Sequence, residues 1–114
     1  MRKLLASALL AGLLGTLLVA GPALSKTKSV EVDDDYFVHE GAPRTVTVHK
    51  GDKVEWEWEG SNPHNVTVKK GPVKFHSEDQ TRGTYEKKLR KVGTYKIVCT
   101  IHAPDMRMTL KVVK

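Results

Sequence analysis

Apolar and polar residues alternate along much of the chain after residue 26, in short segments separated by turns. In the clearest segment, Val54, Trp56 and Trp58 alternate with glutamates. A period of two is typical of a strand with one buried and one solvated face. No helical periodicity of 3.6 residues is sustained over a comparable length. The pattern therefore predicts an all-β domain.

Other segments repeat this alternation between turns that are rich in Gly, Pro and Asp. They cover residues 29–32, 45–49, 64–68, 93–99 and 106–112. Parity places Cys99 on the same inward face as Tyr95 and Ile97, and it turns His64 inward with Val66. Residues 69–90 carry the weakest pattern, so the strands of this part are not predicted.

The first 25 residues follow a different pattern. Arg2 and Lys3 precede an apolar run that ends at Ala20, and small residues follow as far as Ser25. This order is typical of a secretory signal peptide, and we expect cleavage after Ser25. An uncleaved anchor is the alternative, because the run approaches the roughly 20 residues that span a bilayer. The predicted organisation is a leader over 1–25 and one domain over 26–114, periplasmic or extracellular and without stable membrane insertion after cleavage.

Length and charge limit the possible functions. The chain has 114 residues, which is enough for one hydrophobic core. It contains 19 Lys and Arg against 13 Asp and Glu, a net charge of +6. Without Arg2 and Lys3 of the predicted leader the balance is 17 − 13 = +4. This mildly basic balance fits partners with acidic surfaces, and it equally fits a charge that serves only solubility. The basic run at 87–91 lacks interleaved aromatic residues, so nucleic-acid binding is not expected. We expect a monomer, because no segment indicates a large exposed apolar face.

A thiol, an imidazole and a thioether lie close together near the end of the chain, at Cys99, His102 and Met106. Soft sulfur donors favour copper, and two histidines, one cysteine and a weak axial methionine describe a blue-copper centre. The second histidine is expected at His64. The only cysteine in the chain cannot form an internal disulfide. The sequence thus predicts one copper ion bound by His64, Cys99, His102 and Met106.

Alternatives to this ligand set remain open. Cys99 could be an inert buried thiol, and Zn²⁺ also suits two histidines and a cysteine. Met108 shares the parity of Met106 but lies roughly 6.5 Å further along an extended strand, so we expect it in the core. His39 and His49 are expected to be surface histidines, and the three aspartates at 33–35 a solvated turn.

Taken in order, these residues resemble the cupredoxins, the small blue copper proteins of the plastocyanin, pseudoazurin and amicyanin type. The resemblance covers nearly all of the predicted mature chain. The motifs that carry it are Lys50-Gly51-Asp52-x-Val54-x-Trp56, Pro63-His64-Asn65-Val66, Phe75-x-Ser77, Gly93-Thr94-Tyr95 and Cys99-x-x-His102 followed by Met106.

The resemblance implies a Greek-key antiparallel β-sandwich with copper near one end. It implies three equatorial ligands, His64, Cys99 and His102, and the axial ligand Met106. It also implies that Asn65 bonds across to the chain around Thr100. Two features depart from the common pattern of the family. Three residues separate His102 from Met106 instead of two or four, and Met108 stands where many members have glycine.

The function that the resemblance implies is single-electron transfer between redox protein partners, with the exposed ring edge of His102 as the electron port. Ala103 and Pro104 are expected to give that edge a small apolar surround. A copper carrier or chaperone of the cell envelope is the alternative, and Met108 and His76 are its only candidate additional donors. An enzyme is not expected, because four protein ligands leave no open position for a substrate.

Overall fold

The computed structural model describes residues 24–38 and 43–114, and these residues form eight β-strands. The predicted all-β class is confirmed. Most of the predicted leader, residues 1–23, and also His39 lie outside the described residues. In the described part, no helix is long and apolar enough to cross a membrane. The strands are β1 (Thr27–Asp33), β2 (Tyr36–Val38), β3 (Thr45–His49), β4 (Lys53–Trp58), β5 (Thr67–Lys70), β6 (Gly83–Lys88), β7 (Gly93–Val98) and β8 (Arg107–Val113).

The strands form two four-stranded sheets, one in the order β2-β1-β4-β6 and the other in the order β3-β8-β7-β5. The predicted β-sandwich is confirmed, and both of its sheets are mixed: β1 pairs with β4 and β3 with β8 in parallel, whereas the other strand pairs are antiparallel. Only a direct hairpin forces two strands to be antiparallel. Every connection from β2 to β7 crosses between the sheets, so β1 and β4 meet without a hairpin between them.

The core lies between the sheets, and the predicted parity holds on both sides of it. Trp56 is fully buried at its centre, with its ring centroid 6.2 Å from that of Phe75 and 5.9 Å from that of Tyr85. Burying an apolar side chain of this size contributes roughly 1.5–3 kcal/mol or more. The indole N–H of Trp56 points across the core and donates to Met108 Sδ at 3.5 Å.

The sandwich has two ends with different side chains. The site end is where β4 and β7 finish and β8 begins, and the far end is where β4 and β7 begin. The far end is rich in cations, whereas the site end is rich in carboxylates. The far-end cations are Lys26, Lys50, Lys53, Lys88, Arg90, Lys91 and Lys114, beside the carboxylate of Asp52. The site-end carboxylates are Asp33, Asp34, Asp35, Glu59, Asp79 and Asp105, and they outnumber the three arginines at that end, Arg44, Arg82 and Arg107.

At the far end, the turn from β3 to β4 is held by Asp52. Its carboxylate accepts the backbone N–H of His49 at 2.8 Å and that of Lys26 at 3.0 Å. These two bonds, the first above all, lower the pKa of Asp52 from its usual value of 3.8. The turn also needs Gly51, whose φ of +93° lies in the left-handed region.

We expect Asp52→Asn to lower the melting temperature at pH 7 and to flatten its dependence on acid. A carboxyl group with a depressed pKa in the folded state stabilises the fold above its unfolded pKa and loses that contribution as the pH falls through the folded value. Wild type should therefore lose more stability than the variant as the pH drops below about 3.8. Thermal unfolding by circular dichroism between pH 7 and pH 2 measures both effects, and equal slopes for the two proteins would refute the role of Asp52.

Candidate metal centre

Three of the four predicted ligands come together at the site end. The Nδ1 atoms of His64 and His102 lie 3.2 Å apart, and Cys99 Sγ lies 3.9 Å from the first and 3.6 Å from the second. His64 and Cys99 are fully buried, whereas the side chain of His102 is 29% exposed. Among the described residues, this is the group whose donor atoms converge closely enough to hold a metal ion.

The triangle of donor atoms has the dimensions of a trigonal metal site. Bonds of about 2.0 Å to nitrogen and 2.3 Å to sulfur place trigonal ligands about 3.5 Å (N to N) and 3.7 Å (N to S) apart. The observed separations of 3.2, 3.6 and 3.9 Å scatter around these values. The set of two imidazoles and one thiol in this geometry suits copper.

Cys99 and His102 are positioned by the hairpin that joins β7 to β8. Cys99 follows the last residue of β7, and its N–H donates to the carbonyl of Met106 at 3.0 Å. Inside the loop, the N–H groups of His102 and Met106 donate to the carbonyls of Cys99 and His102, both at 3.2 Å. The backbone of the loop is therefore closed on itself, and the sulfur and the imidazole keep a fixed separation.

His64 approaches from the loop that follows β4. Its N–H donates to the carbonyl of Gln80 at 2.9 Å and its own carbonyl accepts from Gln80, and the indole N–H of Trp58 also donates to that carbonyl at 3.3 Å. The inward orientation predicted for His64 is correct, but β5 begins only at Thr67. An isolated bridge to Gln80 holds the histidine instead of a continuous strand.

Asn65 ties the two parts of the site together. Its side-chain amide donates to Thr100 Oγ1 at 2.8 Å, and its side-chain oxygen accepts the N–H of Thr100 at 3.1 Å. This is the link between Asn65 and Thr100 that the resemblance implies. The backbone N–H of Asn65 also points at Cys99 Sγ, 3.5 Å away. Asn65 therefore both holds the two loops together and donates to the sulfur.

The two methionines have different surroundings. Met106 is fully buried at the end of the loop that carries Cys99 and His102, here called the ligand loop (residues 99–106). Met108, two residues into the core along β8, is 2% exposed, and its sulfur accepts the N–H of Trp56. Met108 thus lies in the core, as its position predicts, and its sulfur already has a polar partner there.

The sequence analysis missed two residues that contact the site, both in the turn between β1 and β2. Asp34 Oδ1 lies 3.1 Å from His64 Nε2, and Asp35 Oδ1 lies 3.3 Å from His102 Nε2. Asp34 also accepts the backbone N–H groups of Ser61 and Asn62, and these bonds above all lower its pKa to about 2. The turn was expected to be only solvated, and nothing in the local sequence links it to residues 30 positions away or more.

The surroundings of His102 combine apolar and acidic groups. Ile101, Ala103 and Pro104 are exposed beside it, as expected for a small apolar surface. However, the outer nitrogen of the His102 ring faces the carboxylate of Asp35, which the expectation did not include. Of the other histidines, His49 has an exposed side chain, as predicted, and His76 is exposed with its Nδ1 atom 3.1 Å from the carbonyl of Ser77.

Comparison with solved structures identifies the same fold in several copper proteins. The domain aligns with amicyanin, for example with an oxidised methionine-to-leucine mutant at 24% identity and a TM-score of 0.63, covering 75% of this chain and 80% of that one. The Cu(I) form of a methionine-to-alanine mutant of amicyanin aligns at 23% identity with a TM-score of 0.64, covering 79% of this chain and 85% of that one. A copper-containing nitrite reductase from Thermus scotoductus SA-01 aligns at 23% identity with a TM-score of 0.66, covering 83% of this chain but only 24% of the reductase.

The sequence itself matches a family as well. The profile described as "Copper binding proteins, plastocyanin/azurin family" aligns with residues 26–113, which include every strand and all the residues of the metal centre. The resemblance inferred from the ligand motifs is thereby confirmed, and so is copper as the cofactor. The chain belongs to the plastocyanin/azurin family of copper-binding proteins.

Proposed function

We propose that this protein is an exported type 1 copper protein that carries single electrons between protein partners. In this proposal one copper ion is bound by His64, Cys99 and His102 as strong ligands and by Met106 as the weak axial ligand. The observation that supports it is the triangle of two imidazole nitrogens and one thiol sulfur with separations of 3.2–3.9 Å. When bound, copper supplies one-electron exchange between Cu(II) and Cu(I).

The protein's contribution is to hold the donor atoms still. Cys99 binds as a thiolate, and the N–H of Asn65 is placed to donate to its sulfur at 3.5 Å. The backbone bonds of loop 99–106 and the link from Asn65 to Thr100 resist movement of the ligands. When the protein holds the ligand atoms in nearly the same positions in both oxidation states, electron transfer requires little structural rearrangement. Of the three strong ligands, His102 is the most exposed, so we assign it as the electron port.

The copper-carrier alternative uses the same ligands and would be favoured by additional thioether or imidazole donors. Its two candidates have other neighbours: Met108 accepts a bond from Trp56 in the core, and His76 is exposed beside the Ser77 carbonyl. Electron transfer therefore has the stronger support. We also propose that the chain is not an enzyme, since the four ligands leave no open position.

The cellular context belongs to the same proposal. We propose that residues 1–25 are a cleaved leader, and that 26–114 form a monomeric domain outside the cytoplasmic membrane. The acidic character expected of the partners rests on net charge alone, which is 17 − 13 = +4 once Arg2 and Lys3 are removed with the leader, and it stays a prediction.

The visible and EPR spectra of the purified protein, after addition of Cu(II) and then ascorbate, test the function. We expect an intense blue thiolate-to-copper band with narrow copper hyperfine splitting, bleached by the reductant and restored by an oxidant. A colourless protein that binds Cu(I) tightly would indicate copper handling. A protein that binds no copper would refute both functions.

A further inference from the structure

The turn between β1 and β2 contacts both ligand imidazoles on the side away from Cys99. In each ring the inner nitrogen, Nδ1, faces the sulfur, and the outer nitrogen, Nε2, faces a carboxylate. The outer contacts are 3.1 Å for Asp34 with His64 and 3.3 Å for Asp35 with His102. Two adjacent aspartates of one turn therefore serve two histidines that are 38 residues apart.

The turn is built to hold these carboxylates in place. Asp34 accepts two backbone N–H groups of the loop before His64, at 3.0 Å from Ser61 and 2.9 Å from Asn62. Gly60 leaves the space for it, because a Cβ atom there would lie 2.9 Å from the Asp34 nitrogen and closer still to its carboxylate. Asp35 has a φ of +82°, a left-handed conformation that is uncommon for a residue other than glycine.

The bracing extends to the third aspartate of the turn. Asp33 accepts the N–H of Asp34 at 2.8 Å through one carboxylate oxygen, and the hydroxyl of Tyr36 donates to the other at 3.1 Å. Asp33 therefore fixes the backbone of the turn, whereas Asp34 and Asp35 point to the histidines. The turn has a defined shape with a separate role for each carboxylate, which a merely solvated turn does not require.

A carboxylate that accepts the outer N–H of an imidazole has two effects on the inner nitrogen. It fixes the tautomer in which that nitrogen has a free lone pair, and it raises the basicity of the ring as a metal ligand. A negative charge nearby also stabilises Cu(II) relative to Cu(I), because the oxidised ion has the higher charge. Both effects favour tight binding of the divalent ion and lower the reduction potential.

We propose that Asp34 and Asp35 are positioning residues of the copper centre, which set the orientation and tautomer of His64 and His102 and lower the reduction potential. The inference rests on the ligand set of the proposed function. Asp34 has the larger effect, since its side chain is 35% exposed against 58% for Asp35, and exposed charges are more strongly screened.

The test compares Asp34→Asn, Asp35→Asn and Asp105→Asn with wild type. Asparagine keeps the size of the side chain and removes the charge. Asp105 is the matched control, because it lies in the ligand loop and is exposed, and no described hydrogen bond or ion pair involves its carboxylate. If Asp34→Asn does not fold, Asp35→Asn still tests the inference, because the described contact of the Asp35 carboxylate is with His102 alone. Circular dichroism checks that each variant is folded.

Two readouts are measured. In the first, Co(II) is titrated into the metal-free proteins and followed by its absorption. We expect about 10–100-fold weaker binding for Asp34→Asn, a smaller loss for Asp35→Asn and little change for Asp105→Asn. In the second, redox titration of the copper-loaded proteins should give higher potentials for Asp34→Asn and Asp35→Asn than for the control.

The inference is overturned if both variants bind Co(II) like Asp105→Asn, or if their potentials rise no more than that of the control. Failure of the proposed function would be recognised separately. In that case the wild-type protein would lack a type 1 copper spectrum, whereas Co(II) binding would still report on the contacts between the aspartates and the histidines.

Discussion

Replacing Cys99 by serine is expected to abolish the blue absorption completely. Serine is close in size to cysteine, but its hydroxyl does not ionise near neutral pH and does not supply the soft anionic sulfur that the copper charge-transfer band requires. No other side chain can substitute, because the chain contains a single cysteine. Any Cu(II) that the variant still binds through His64 and His102 should show the wide hyperfine splitting of an ordinary copper site.

The measurement is the visible and EPR spectrum of Cys99→Ser with one equivalent of Cu(II). Circular dichroism of the metal-free protein is the control for folding, because Cys99 is fully buried beside the core. A folded variant that stays blue would mean that Cys99 is not the thiolate ligand, and the metal centre described above would then be incorrect.

Replacing Met106 and Met108 separately by leucine is expected to give opposite results. Leucine conserves the volume of methionine, and such exchanges usually cost less than about 1.5 kcal/mol. Met106→Leu should change the blue spectrum and raise the reduction potential, because the axial thioether is lost. It should leave the stability of the metal-free protein almost unchanged.

Met108→Leu should leave the spectrum unchanged and lower the stability. It removes the acceptor of the Trp56 N–H in a fully buried part of the core, and a buried donor without a partner costs about 1–3 kcal/mol. The two variants are controls for each other, measured by redox titration and by urea unfolding of the metal-free proteins. If Met108→Leu alters the spectrum and Met106→Leu does not, the axial ligand has been assigned to the wrong methionine.

The three residues whose donor atoms converge, His64, Cys99 and His102, could be predicted from sequence because metal binding restricts the residue types and the alternation restricts the direction of the side chains. Cys99 ends the inward row of Tyr95 and Ile97, and all three are fully buried. His64 shares the inward parity of Val66, which is equally buried. In both cases a period of two suffices, because it records which face of a strand is buried.

Other parts of the structure could not be predicted, for physical reasons. Strand β6 has no fully buried residue, and Tyr85 and Lys87 are only partly covered, so no clear alternation marks it. The parallel pairing of β1 with β4 depends on which strands meet, and alternation within one strand does not record that. The contacts of Asp34 and Asp35 also depend on tertiary structure, because they form only when the end of β1 lies beside the histidines in the folded sandwich.

The uneven distribution of charge between the two ends of the sandwich makes the protein an electric dipole. The negative pole carries the metal centre, and the positive pole carries the far-end lysines, such as Lys50 and Lys88. An anionic surface attracts the molecule through its net charge but turns His102 away, whereas a cationic surface turns His102 toward it. Electron exchange should therefore be faster at a positively charged electrode than at a negatively charged one, and the difference should shrink as salt is added.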